Sequence, residues 1–331
     1  MKSKKLAGAL LAAFLTVFAA GSSGARAQTD SSQYVISTKA GAVNSASGDV
    51  KVRRRGANGF ESLAARDALA DGDRVSTGAG GRVEMLLSPG AYFRAAENTE
   101  FELENSSLDN LRVKLSAGSA IIEATGAGGD ASPFVEVRTP SASVAINKRG
   151  IYRVNVSPAG ETSVYVREGY ALVGGVKVKE GRALTVRGNT GASEAAIVKF
   201  DEKERDAFDL WSASRAESLA AANKRLKSRA LSDSFAAYRR NNSGFFGRGY
   251  RGSGFWLYDP FFGGHTFLPF YAGLSSPYGH GYRHGFGSHS IFSGGRTGGF
   301  IFTAPRHNRT HTTIHQRTPR HVTSGHHRRG H

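Results

Sequence analysis

The sequence predicts an all-β domain over residues 28–200, followed by one amphipathic helix over 201–240 and a low-complexity tail over 241–331. Three observations carry this. From Tyr34 to about Lys199, apolar residues alternate with polar ones in short runs, the period of strands that bury one face and wet the other. Glycine, proline and Asx residues punctuate those runs at the short, even spacing of sandwiches, barrels and β-solenoids. The composition then changes sharply twice, at Asp201 and at Asn241.

The first 27 residues read as a cleavable signal peptide: Lys2, Lys4 and Lys5, an apolar run from Leu6 to Ala20, and the small-residue exit Ala25-Arg26-Ala27. That run is shorter than the roughly 20 apolar residues a membrane-spanning helix needs. The mature chain is therefore expected to start at Gln28, to hold no transmembrane segment, and to be periplasmic or extracellular.

In the β-region, Val83, Met85 and Leu87 share one strand face, and Phe101 and Leu103 oppose Glu100, Glu102 and Glu104. Leu111, Val113 and Leu115, then Val135 and Val137, Tyr152, Val154 and Val156, and Val164 and Val166 repeat the pattern. Asp71-Gly72, Ser88-Pro89-Gly90, Glu168-Gly169 and Gly174-Gly175 are turn pairs, with residues that tolerate or preset the required φ. After Asp201 the helix formers Ala, Glu, Lys, Arg and Leu take over. Phe208, Trp211, Leu219, Ala222 and Leu226 would line one stripe, expected to pack on the β-domain. Beyond Asn241 the chain is rich in glycine and aromatics and then in Arg, His and Thr, and is expected to be mostly disordered, with Phe255 to Tyr271 the part able to clip onto the fold.

With no cysteine, the chain has no disulfide, no thiolate metal site and no thiol nucleophile. All eleven histidines stand at or after His265, so the β-region cannot assemble a Ser-His-Asp set. Asp71 and Asp73 are close enough for acid–base work, but both fall in a turn, where carboxylates cap backbone. There is no phosphate-binding glycine loop and no HExxH motif. No cofactor and no enzymatic activity are expected. The net charge is +17, and the tail holds ten arginines against Asp259 alone. Such a tail would engage envelope polyanions by charge and stacking, while export argues against nucleic acid as a partner. Lys51, Arg53, Arg54 and Arg55 form a second basic run, either a contact for an anionic polymer or a solvated face. His307, His311 and His315 recur every four residues, a weak metal-binding spacing in a segment poor in helix formers.

Leu69-Ala-Asp-Gly-Asp-Arg-Val-Ser-Thr-Gly78, the strand from Arg82 to Ser88, Thr139-Pro140, Lys148-Arg149-Gly150, Thr162 to Gly169 and Lys179-Glu180-Gly181 follow one another in the order found in the FecR domain family, which this region resembles. Ile151 departs from the family's usual Arg-Gly-Thr triplet. The resemblance implies a β-solenoid-like or two-sheet β-sandwich domain, the solenoid being favoured, and casts Asp71, Gly72, Asp73, Thr139, Pro140, Arg149, Gly150, Glu168 and Gly169 as structural turn residues. The family's best-known members relay a signal from an outer-membrane transporter to a sigma factor, through a cytoplasmic helical domain and a membrane helix. With five residues ahead of the apolar run, that direct route is not expected here. What is expected is a protein or glycan interaction module in envelope sensing or regulation. The alternatives are a structural envelope protein binding anionic polysaccharide through its basic tail, and a metal-binding His-rich tail protein.

Overall fold

In a computed structural model of the chain, the described residues are 34–125, 135–188, 196–241, 253–270 and 272–283. Contacts group the chain into two units, Met1–Gly285 and Phe286–His331, and all described residues fall in the first. The alternating runs form β1 (Val35–Ser37), β2 (Val43–Ser47), β3 (Val50–Arg53), β4 (Glu61–Ser62), β5 (Arg74–Thr77), β6 (Arg82–Leu86), β7 (Ala91–Ala95), β8 (Glu100–Asn105) and β9 (Arg112–Ala124). They continue as β10 (Val135–Arg138), β11 (Ser143–Ile146), β12 (Gly150–Val156), β13 (Thr162–Glu168), β14 (Tyr170–Val173), β15 (Val176–Lys179), β16 (Arg182–Val186) and β17 (Ile197–Lys199). Helices α1 (Ala207–Lys224) and α2 (Ser228–Asn241) follow, then β18 (Gly254–Asp259) and β19 (Gly264–Pro269).

Strands β2 to β17 form one sixteen-stranded sheet that divides into two leaves at β9. Leaf one runs β2-β6-β7-β9-β12-β13-β16-β17 and is antiparallel throughout. Leaf two runs β4-β3-β5-β8-β9-β10-β11-β14-β15, with β9–β10 its one parallel pair. Residues 118–124 of β9 pair within leaf one, and residues 112–115 and 117 within leaf two. Val75, Phe101, Leu103, Val113 and Val137 of leaf two share a single buried core with Val83, Met85, Phe93, Ile122, Val154 and Val164 of leaf one. Each such side chain contributes about 1.5–3 kcal/mol on leaving water, so this core supplies the stability that disulfides would otherwise add. A coil of parallel rungs, the solenoid expectation, would require parallel ladders; every ladder here except β9–β10 is antiparallel, with hairpins such as β6–β7 and β12–β13 set among longer crossovers such as β2–β6 and β13–β16.

The two leaves differ on their outer faces. Leaf two alternates as expected: Lys51, Arg74, Glu102 and Lys114 reach water while their neighbours are buried. In leaf one the expected wet face is dry at β6 and β7, and every residue of β7 is buried. The cover comes from the far end of the chain. Leu219 and Ala220 of α1, Trp256, Phe267 and Tyr282 pack on Leu86 and Tyr92, and Phe208 packs on Ile121 and Ile151. Trp256 Nε1 donates to the Leu87 carbonyl at 3.1 Å.

Two expectations change here. Residues 201–240 form two helices: the side chain of Asn223 turns inward to the Phe267 carbonyl at 2.9 Å, and the Arg225 N–H folds back to the Ala222 carbonyl at 3.1 Å, ending α1. The predicted stripe is inward nonetheless, with Phe208, Leu219, Ala222 and Leu226 buried. The stretch from Phe255 expected to be able to clip onto the fold does so through Phe270, and the described residues of the tail reach further, over 253–270 and 272–283. There β18 and β19 form a hairpin that pairs β18 with β1, so a three-stranded sheet joins the start of the β-region to residues placed in the tail. Glycines and aromatics conceal a strand pattern at this hairpin because both of its faces are buried, which removes the alternation.

Candidate functional site

The open face of leaf two carries a groove of about 690 Å³ lined by Arg53, Arg54, Arg55, Arg74, Arg112 and Arg138, with Asp71, Glu102 and Glu104 among the acids. Strand pairing creates it. Arg53 of β3 stands opposite Arg74 of β5, Arg74 opposite Glu102 of β8, Glu102 opposite Lys114 of β9, and Lys114 opposite Arg138 of β10. Four cations and one carboxylate thus lie in a straight line across five strands. The carboxylate is already engaged, since Glu102 accepts from Arg74 at 3.0 Å. Arg138 lies 3.4 Å from Glu136 and 3.6 Å from Glu104, contacts half open to water and worth little in themselves. The hydrogen bond from Ser143, with Arg138 nearby, holds the Glu136 carboxyl below the usual carboxylate range. Arg53 makes no ion pair among the described residues; its guanidinium sits 5.4 Å from the centre of the half-exposed Phe60 ring.

One corner of the groove unites two features that are separate in the sequence. Asp73 is buried, and its carboxylate accepts from Ala70 N at 3.0 Å, Arg55 N at 2.9 Å and Arg54 Nη1 at 2.9 Å. Burial alone would raise its pKa, but those three donors bring it below the usual value. The hydrogen bonds to Glu61 and Asp73 raise the Arg54 pKa further. Asp71 Oδ1 accepts from Ser106 N at 2.8 Å. Both aspartates hold backbone. Lys51 pairs at the surface with Asp49, 3.1 Å away.

The remaining motif residues lie elsewhere. Thr139 Oγ1 donates to the Ala142 carbonyl at 2.8 Å, accepts from Ala142 N at 3.0 Å, and accepts from Thr162 Oγ1 at 2.7 Å, so Thr139-Pro140 is a turn tied to β13. Arg149-Gly150 and Glu168-Gly169 meet at the β12–β13 end of leaf one. Arg149 and Glu168 form an ion pair there. Gly169 has φ +88°, and a Cβ on it would lie 2.5 Å from the Arg149 carbonyl oxygen; one on Gly150 would strike the Glu168 carbonyl oxygen. Burial raises the Glu168 pKa despite Arg149, with Glu180 adding to the rise. The Arg149 guanidinium also donates to the Ser276 carbonyl at 3.1 Å. This corner is therefore closed by the C-terminal segment.

The covered side of leaf one hides a charge network that alternation alone does not reveal. Arg94, with no exposure, lies 2.8 Å from Glu84 and 2.7 Å from Glu123, and Glu84 also receives Arg215 at 2.7 Å and Asn44 at 2.8 Å. Ser276 donates to Glu123, and Tyr278 donates to Ser212, which accepts from Arg94 at 2.9 Å. Burial would raise the Glu84 pKa, but Arg94 and Arg215 outweigh it and hold it at about 2.

Among the described residues no group of three or more His, Asp or Glu side chains is placed to hold a metal ion, and no helix is long and apolar enough to cross a membrane. His307, His311 and His315 lie outside the described residues, as does the expected signal peptide. Sequence reading missed Arg74, Arg112 and Arg138 as groove residues. Each sits at an outward position of an alternating run, but only strand order shows that they converge.

No curated protein matches the chain. Two crystal structures of a Parabacteroides distasonis protein described as an anti-sigma factor, at 2.50 and 1.65 Å resolution, align at 17% and 16% identity, each with a TM-score of 0.34. The alignment covers 43% of this chain and 64% of theirs. Residues 73–172, from the Asp73 turn into β14, match the family model of the FecR protein.

Proposed function

We propose that the chain works by binding, as a non-enzymatic interaction module in envelope sensing or regulation, with the open face of leaf two as its contact surface. The observation that carries this reading is the asymmetry of the two leaves. The chain's own helix and hairpin cover leaf one, whereas among the described residues nothing covers the charged face of leaf two, where the arginine groove lies. The groove contains no histidine or cysteine, and its acids are held by arginines or backbone, which leaves no free base or nucleophile to act on a ligand. The FecR match supports a regulatory role, and a signal peptide over residues 1–27 would deliver the chain to the envelope. The test is site-specific photo-crosslinking in cells. A photoreactive residue replacing Ser76, on the open face, is expected to capture a discrete envelope component. The same residue replacing Leu210, on the solvent side of α1, is not. Equal capture from both positions, or none from Ser76, refutes the reading.

A further inference from the structure

We infer that the row Arg53, Arg74, Lys114 and Arg138 is a binding site for a linear polysaccharide that carries one carboxylate on each sugar, a polyuronate. This rests on the reading of the open face as the binding face and gives it an occupant.

The argument is one of spacing, charge and chemical fit. The four cations are successive register partners on β3, β5, β9 and β10, interrupted only by Glu102 on β8. Because the row runs across the strands, its repeat is the strand spacing of about 4.8 Å, and the five strands span roughly 19 Å. A pyranose ring linked end to end advances by about one such spacing. A uronate polymer laid along the row in a two-fold form turns every second carboxylate to the sheet, about two strand spacings apart, which is the separation of Arg74 and Lys114 with Glu102 between them. An extended acidic peptide does not keep this step, since its same-face side chains repeat at about 6.8 Å.

The rung that breaks the row does not repel such a ligand as a bare anion would. Glu102 is paired with Arg74, leaving that rung near neutral and able to accept sugar hydroxyls. Guanidinium groups at three of the four cationic positions suit planar, bidentate recognition of carboxylates. Arg112, beside the row, makes no ion pair among the described residues and donates to Asn110 Oδ1 at 3.4 Å. At the β3 end, Phe60 offers an exposed aromatic edge beside Arg53, where the apolar face of a terminal sugar can rest.

The experiment measures binding of the full chain to polygalacturonate, to poly-glutamate and to neutral dextran by calorimetry at fixed ionic strength, since exposed charge attraction is screened by salt. Two variants with equal charge loss are compared. One carries Arg53→Gln, Lys114→Gln and Arg138→Gln in the row; the other carries Arg306→Gln, Arg309→Gln and Arg317→Gln in the basic tail. Polygalacturonate is expected to bind, the row variant to bind at least tenfold more weakly, and the tail variant to stay within twofold of the parent. Should the row variant melt early, the single exposed substitution Lys114→Glu carries the same expectation at smaller amplitude. Equal loss in row and tail variants means that net charge alone attracts the polymer, and overturns the inference. Row-dependent binding of poly-glutamate with no binding of polygalacturonate also overturns it, yet leaves the open face standing as an interaction surface.

Discussion

Arg94 carries its charge with no contact to water, between Glu84 and Glu123 on leaf one. Removing one member of a buried ionic set costs more than the set contributes, because the partners stay buried and uncompensated. Arg94→Met is expected to destabilise the fold by about 3–5 kcal/mol, read from urea unfolding. Glu123 suffers most, since Glu84 retains Arg215. A second residue-scale prediction concerns pH. Burial lowers the His265 pKa to about 4, and the paired arginines hold Glu84 at about 2. Each group is protonated more readily in the unfolded chain than in the folded one. Acid therefore favours unfolding: stability is full above pH 6.5, falls between 6.5 and 4 as unfolded His265 gains its proton first, and falls again below about 4.5 through Glu84. The first stage amounts to about 3 kcal/mol at most. It should vanish from the pH dependence of the melting temperature in His265→Gln.

At the level of elements, α1 is held at its start. Asp206 accepts from Phe208 N at 3.0 Å and Asp209 N at 2.9 Å, while buried Asp209 receives Arg153 at 3.0 Å and Arg167 at 2.9 Å from β12 and β13. Asp206→Ala should lower stability by about 1 kcal/mol, the usual loss for a helix cap, with a matching drop in melting temperature. Asp209→Ala should cost more, because two arginines lose their shared partner. The helix stripe and the alternation of leaf two were legible in the sequence, since both follow from neighbours a few residues apart. Phe101 and Leu103 face inward and Glu100, Glu102 and Glu104 outward, as their period requires. Burial of Glu84 and Arg94 was not legible. Both occupy positions that would be wet on an isolated sheet, and only Leu219, Trp256 and Tyr282, far along the chain, make them dry. The candidate groove was half visible: Arg53, Arg54 and Arg55 adjoin in sequence, but their union with Arg74 and Arg138 depends on which strands become neighbours.

At the scale of the whole molecule, the hairpin β18–β19 belongs to the folded body. A chain ending at Arg240 loses Trp256 and Phe267 and exposes Leu86 and Tyr92, together with the Arg94 network. It is expected to unfold at lower urea concentration and to bind a hydrophobic dye, whereas a chain ending at Arg283 should match the full chain in both measurements. Any test of the basic tail must therefore cut after Arg283. The turn residues of the segment that matches the FecR model act at this scale as well. Gly169→Ala forces a side chain onto a backbone at φ +88° and against the carbonyl of Arg149, the residue whose guanidinium holds Ser276, so its cost should exceed about 1 kcal/mol and should loosen the C-terminal segment.

The pairing of β1 with β18 has a consequence for how the chain comes into being. Val35 has Tyr258 as its ladder partner, so β1 waits for β18, more than two hundred residues later, before it can pair in its sheet. Such closure across most of the chain makes for slow, late completion. Until residues 254–269 arrive, the outer face of leaf one stays open; the final hairpin is the clasp that closes it.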